Sequence, residues 1–285
     1  MAMGYQGYVT IDGVSVLCNG SSVNPQFTPI YSTGVGGLGF AVAASKTHYA
    51  EGGLVYTGDV TVDFGTPLVA VFLPWAITAR NTTKPVVIVP DGLVKQTYNA
   101  YCGGLNLSAS SGGLVTAGIT LFSTNRAETS ETNTACEASH LAGGPLNPSN
   151  ANTYPIPFWK TIATVTGVTG AATQWNMSLN NNPTPLYVCN GSKNPLTILL
   201  GPIDGTGSVA FYNETGVGPV TTAAAATAFS VDLDGTNTLD MLFAALTSDD
   251  YAIQGANNPV VRTFGFDALG DGTSAPITFN GTLCV

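Results

Sequence analysis

Apolar and polar residues alternate with a period of two along much of this chain. From Val55 to Phe64, the residues Tyr56, Val60, Val62 and Phe64 fall on one face, and Thr57, Asp59, Thr61 and Asp63 on the other. From Leu114 to Phe122, Val115, Ala117, Ile119 and Leu121 lie opposite Thr116, Gly118 and Thr120. Leu105, Leu107 and Ala109 alternate with Asn106, Ser108 and Ser110, and Trp175, Met177 and Leu179 with Asn176, Ser178 and Asn180. Tyr8 to Leu17, Val86 to Val89, Thr206 to Tyr212 and Ala228 to Leu233 also read as strands. A strand places successive side chains on opposite faces, so this pattern predicts sheets with one buried face and one hydroxyl- and amide-bearing face.

Helical periodicity is scarce. Its best case is Thr238 to Thr247, where Leu239, Leu242, Phe243 and Leu246 would form one stripe behind the cap candidates Thr236, Asn237 and Thr238. Phe40 to Tyr49 is a weaker candidate. Between Asn125 and Pro157 the texture becomes polar, then rich in proline and paired glycine, which reads as a connection between two units. The expected organisation is therefore a first β-rich unit over 1–124, a connector over 125–157 and a second β-rich unit over 158–285. The segment from Leu105 (LNLSAS) is echoed from Trp175 (WNMSLN), and the segment from Val14 (VSVLCNGS) from Leu186 (LYVCNGS), as expected for two copies of one unit.

Composition narrows the function. Charged residues make up 9% of the chain, where about 25% is usual, so much of the surface is expected to be hidden in contacts or wetted by Ser, Thr and Asn. Seventeen acids against eight bases give a net charge of −9, which argues against a grip on nucleic-acid phosphates. The longest apolar run, Pro67 to Ile77, is interrupted by Pro74 and falls short of the ~20 residues that span a bilayer. Residues 1–13 have no basic or apolar leader region, so synthesis in a cytoplasm and no membrane association are expected.

Candidate chemistry is thin. Gly34 to Gly39 matches G-x-G-x-x-G, but no buried strand precedes it, and a surface loop is the better reading. Cys136 and His140 have the spacing of one ligand pair, with no second pair nearby. The stretches from Asp232 to Asn237 and from Asp267 to Asp271 lack the glutamate that closes a calcium loop and read as turns. Only His48 and His140 could serve as imidazole bases, and no G-x-S-x-G occurs. No cofactor, metal or catalytic residue is assigned, and the chain is not expected to be an enzyme. The five cysteines are scattered, which favours free thiols, with Cys284 the candidate for an intermolecular bridge. Seven Asn-x-Ser/Thr sequons, Asn190 among them, are expected by chance in a chain of this composition.

Several segments resemble bacteriophage tail tube (major tail) proteins: Tyr8 to Gly13 (YVTIDG), Asn24 to Phe27 (NPQF), Glu51 to Phe64 (EGGLVYTGDVTVDF), Asn180 to Tyr187 (NNNPTPLY) and Leu199 to Asn213 (LLGPIDGTGSVAFYN). The likeness covers about half of the chain. It implies antiparallel sandwich- or barrel-like tube domains, each with about one short helix, whose sheets join across subunits into a ring. Two tandem units would make a trimer a pseudo-hexamer; a hexamer is the other arrangement. Implied partners are further copies of the chain and the sheath, tape-measure and terminator proteins of a virion tail. DNA would pass through without specific binding. Thr57, Asp59, Thr61 and Asp63 are then the candidate lumen-facing residues. A capsid-decoration, tail-tip or surface-layer subunit is the alternative.

Overall fold

The computed structural model describes residues 8–16, 18–27, 30–32, 48–50, 52–89, 94–130, 155–168, 171–212, 227–253, 260–270 and 275–280. The fold is mainly β and antiparallel. The chain begins with β1 (Tyr8–Ile11), β2 (Val14–Val16), β3 (Cys18–Phe27), β4 (Ile30–Ser32), β5 (His48–Ala50) and β6 (Leu54–Asp63). Helix α1 (Thr66–Ala76) follows, then β7 (Lys84–Val89), β8 (Val94–Ser110), β9 (Thr116–Ser123) and β10 (Ala127–Ser130). After the connector come β11 (Ile162–Val165), β12 (Ala172–Asn180), β13 (Pro183–Leu186), β14 (Thr197–Leu200) and β15 (Asp204–Tyr212). The last strands are β16 (Thr227–Asp232), β17 (Thr238–Ile253), β18 (Val260–Ala268) and β19 (Thr278–Asn280).

Fifteen strands form one sheet system, ordered β11-β16-β17-β18-β15-β12-β8-β7-β1-β2, with β9, β6 and β3 continuing from the other edge of β8, β10 pairing with β8 and β19 with β17. Within the stretch from Tyr8 to Leu17, expected as one strand, residues 8–16 form a hairpin. Asp12 and Gly13 both have positive φ (54° and 78°), the geometry of a two-residue hairpin turn, and Ile11 pairs with Val14 across it.

The echoed segments from Leu105 and from Trp175 are neighbours. β8 and β12 pair antiparallel with Leu107 opposite Met177, equivalent positions of the echo. The equivalent amides Asn106 and Asn176 meet across this local two-fold, Asn176 Nδ2 donating to Asn106 Oδ1 at 2.7 Å. The flanking strands keep the symmetry, with Ala117 of β9 opposite Leu107 and Gly207 of β15 opposite Met177. Chain order breaks it further out, because β6 precedes β8 whereas β18 follows β15. Residues on both sides of the connector thus share one sheet, and a single buried cluster runs from Val60, Leu107 and Ile119 to Met177, Phe229 and Phe266.

Helix α1 packs on β8 and β2, with Phe72, Leu73, Trp75 and Ala76 almost fully buried. Pro67 stands in the first turn, where no N–H is needed, whereas Pro74 lies inside the helix and removes one of its hydrogen bonds. Among the described residues no helix is long and apolar enough to cross a membrane. The helix expected at Thr238 to Thr247 is instead the first part of β17. There the backbone is paired on both sides, to β16 and to β19, and Leu239 and Met241 are buried on one face. Most of the second helix candidate, 40–47, lies outside the described residues, and His48 and Tyr49 belong to β5. The short 3₁₀ turn Phe158–Lys160 is therefore the only helical element among the described residues of 158–285.

A register shift between Leu246 and Ser248 lets β17 serve two layers. Its first part joins β16, and its second part joins β18. The layers close face to face, with the Phe229 and Phe266 rings stacked at 5.4 Å. Gly207 makes this approach possible, because a Cβ there would stand 2.6 Å from the Phe229 ring. Gly207→Val is expected to overpack the sandwich by about 1–3 kcal/mol. A lower urea midpoint at unchanged slope would show it, and an unchanged midpoint would refute it.

Candidate functional site

The polar faces of the strands are continuous. Directly paired residues point to the same side of a sheet, so the registers define rows of side chains. One row runs Asp59, Thr120, Gly104, Asn180, Asp204. The next runs Thr61, Gly118, Asn106, Ser178, Thr206, Asp267. A third runs Asp63, Thr116, Ser108, Asn176, Ser208, Gly265. At strand spacing this surface is ~24 Å wide. It carries four carboxylates and no Lys or Arg, and the acids sit at its two margins.

Side-chain hydrogen bonds link neighbouring strands along and beside the rows. Thr120 Oγ1 donates to Asp59 Oδ1 at 2.8 Å, and the Ser108 and Thr116 hydroxyls meet at 3.0 Å. Asn182 Nδ2 donates to Asp204 Oδ2 at 2.6 Å. Asp59 and Thr61 are exposed, whereas Thr57 and Asp63 are half-buried. All four expected residues therefore lie on this face. Sequence reasoning missed Asp204 and Asp267, which the fold brings to the opposite margin from a distant part of the chain. Their signal was present, since Asp204 and Thr206 precede the buried Val209 in an alternating run.

Gly104 and Gly118 leave a shallow cleft of about 530 Å³ in the face, rimmed by Asn106, Thr120, Phe122, Ser178, Asn180 and Pro183. Its lining offers hydroxyls, amides and one ring edge, so its chemistry is neutral hydrogen bonding. Among the described residues no group of three His, Cys, Asp or Glu side chains is placed to hold a metal. The carboxylates of Asp232 and Asp234 are occupied by their own turn: Asp232 Oδ1 accepts from the N–H of Asp234 and Gly235, and Asp234 Oδ1 from those of Thr236 and Asn237.

No protein-family model and no curated protein matches this chain.

Two further features bear on what the surface does. β3 pairs only with β6, and β11 only with β16, so among the described strands both present an open edge. Large apolar side chains are also exposed: Trp159 at 76%, Ile162 at 59%, and Leu186, Val188, Leu196 and Leu199 along the β13–β14 hairpin. This hairpin is docked on the start of β6, where the Leu54 N–H donates to the Lys193 carbonyl at 2.8 Å.

The described thiols differ. Burial pushes the Cys102 thiol up to about 12, so it stays protonated and inert, with its S–H donating to the Gly104 carbonyl at 3.5 Å. Cys189 is free and exposed near the tip of the β13–β14 hairpin. Cys136, His140, Cys284 and the loop from Gly34 to Gly39 lie outside the described residues, as do positions 131–154 of the connector.

Proposed function

We propose that this chain is a structural virion subunit of the tail-tube kind. Copies associate into rings, three as a pseudo-hexamer or six, and the rings stack into a conduit for DNA. The observation that carries this reading is the six-strand face with acids at both margins and no base. A wall of hydroxyls, amides and carboxylates repels phosphate and stays wet, so DNA slides past it without binding. The open edges of β3 and β11 support closure between subunits, since pairing them removes strand edges that would otherwise aggregate. Exposed Trp159 and Ile162, in a chain with few charges, support burial of surface in an assembly.

Negative-stain electron microscopy of the purified chain tests the proposal. Stacked rings or hollow tubes with a central channel are expected. Monodisperse particles that never stack would refute it and favour a decoration, tail-tip or surface-layer role. The lumen assignment has its own test. Asp59→Lys combined with Asp63→Lys reverses the charge of one margin and is expected to leave tubes intact while slowing DNA ejection from particles. Ejection at the wild-type rate would remove these residues from the channel wall.

A further inference from the structure

We infer that the Asn190–Gly191 bond is a self-modification site, where the chain deamidates without an enzyme. This inference is independent of the proposed function. Three Asn-Gly pairs occur in the chain, at Asn19, Asn190 and Asn280. Succinimide formation needs three things: a backbone N–H free to attack, an amide carbonyl able to accept the developing charge, and room for the ring. The pair at 190 has all three. It lies exposed in the turn between β13 and β14. The Gly191 N–H has no hydrogen-bond partner among the described groups. Gly191 has φ +78°, and nothing stands within 4 Å of where a Cβ would be. The Ser192 N–H donates to Asn190 Oδ1 at 3.0 Å, polarising the carbonyl that is to be attacked.

The other two pairs are more restrained. Asn19 stands at a register shift within β3, where Gly20 beside it is paired with Thr61 of β6. The side chain of Asn280 is held by Asp240, with Nδ2 donating to Asp240 Oδ2 at 2.7 Å. The strand pairing and the Asp240 contact must open before either can react, and that opening adds to the barrier.

The chemistry balances with water alone. The Gly191 nitrogen, losing its proton to solvent, bonds to Asn190 Cγ. The tetrahedral oxyanion, held by the Ser192 N–H, collapses and expels Nδ2 as ammonia, leaving a succinimide. Water then adds to either imide carbonyl and breaks one of its C–N bonds. The product at this position is an aspartate, with an unchanged backbone, or an isoaspartyl residue, with one extra backbone methylene. Either adds a negative charge beside Lys193. The isoaspartyl form also displaces the backbone that carries Lys193 O, the anchor for Leu54 N–H. The hairpin bearing the exposed leucines would thus acquire charge and looseness with age.

The test is peptide mass spectrometry on the full native chain aged in mildly alkaline buffer, with a parallel sample unfolded in urea. In the native chain the peptide containing Asn190 is expected to gain one dalton at least about tenfold faster than those containing Asn19 and Asn280. In urea the three rates should converge. Asn190→Gln should abolish the fast conversion and leave the circular dichroism unchanged. Equal native rates at the three pairs would overturn the inference, and so would an Asn190 that reacts only in urea.

Discussion

Replacing Asn181 by Asp is expected to lower stability by about 3–5 kcal/mol, read as a fall in the urea midpoint at constant slope. Asn181 is fully buried at a junction of three elements. Its Nδ2 donates to the Ala76 carbonyl at the end of α1 (3.0 Å) and to the Cys102 carbonyl of β8 (2.9 Å). Its backbone N–H donates to Gly103 O, and its carbonyl accepts from Gly201 N–H. The first of these satisfies a carbonyl that a helix end leaves unpaired. The second clamps β8 at the shift between Cys102 and Gly104. An aspartate would turn a carboxylate toward both carbonyl oxygens, replacing two attractions with repulsion or forcing itself protonated. Asn181→Leu keeps the branching and heavy-atom count and removes the donors without adding charge, so it should cost less, roughly 2–4 kcal/mol from two orphaned carbonyls and a somewhat larger side chain. If the aspartate variant unfolds at the wild-type midpoint, the clamp has no energetic weight. If the leucine variant is the worse of the two, the charge argument fails.

Asp249→Ala is expected to cost about 2–4 kcal/mol at neutral pH and much less in acid. Arg262 is buried to 1% exposure, with its guanidinium 4.7 Å from the ring centres of Tyr251 and Phe264. It donates from Nε to Asp249 Oδ1 at 2.7 Å and from Nη2 to Oδ2 at 2.6 Å. Removing the carboxylate strips a buried cation of a bidentate partner. Removing the arginine instead leaves a carboxylate that is already 28% exposed and can rehydrate, so Arg262→Met should cost less. The side-chain hydrogen bonds from Arg262 hold the Asp249 carboxyl below the usual carboxylate range; charge attraction adds to this and partial burial opposes it. A carboxylate with a lowered folded-state pKa stabilises the fold fully above its unfolded value of about 3.9. That contribution is lost as pH falls from there through the folded value. The gap in stability between wild type and Asp249→Ala should therefore narrow on acidification below about pH 4. A gap that stays constant would show that the charge pair is not its source.

Strands were legible in the sequence because a period of two leaves a mark that survives without tertiary information. Val55 to Phe64 and Trp175 to Asn180 alternate cleanly, and both are strands with the expected faces buried. The helix expected at Thr238 to Thr247 failed and α1 went unread for different reasons. Thr238 to Thr247 has apolar residues at both spacings, and Leu242 and Phe243, which completed the helical stripe, are exposed in β17. Pairing with β16 and β19 outweighed a weak local preference. Conversely, α1 is apolar on nearly every side, so no polar stripe betrays its period.

The candidate site divides in the same way. Thr57, Asp59, Thr61 and Asp63 were assigned to one polar face from alternation alone, and the fold keeps them together. Nothing local says that Asp204 and Asp267 lie on that same face, because the join depends on which strands pair and in what register. Register is set by long-range packing: a slip of one residue would send Met177 and Leu179 into water and bury Ser178. The Asn180, Asn181 and Asn182 run shows the limit most plainly. Three identical side chains have three environments: Asn180 on the polar face, Asn181 fully buried, and Asn182 at φ +48°, bonded to the Pro202 carbonyl and Asp204. By itself the sequence determined a mainly β chain with apolar faces to bury and acidic, hydroxyl-rich faces to leave wet, since side-chain polarity and strand period are local properties. Only the tertiary structure decided that those faces join across β8 and β12, and which amide is sealed in the core, because both depend on contacts between residues far apart in the chain.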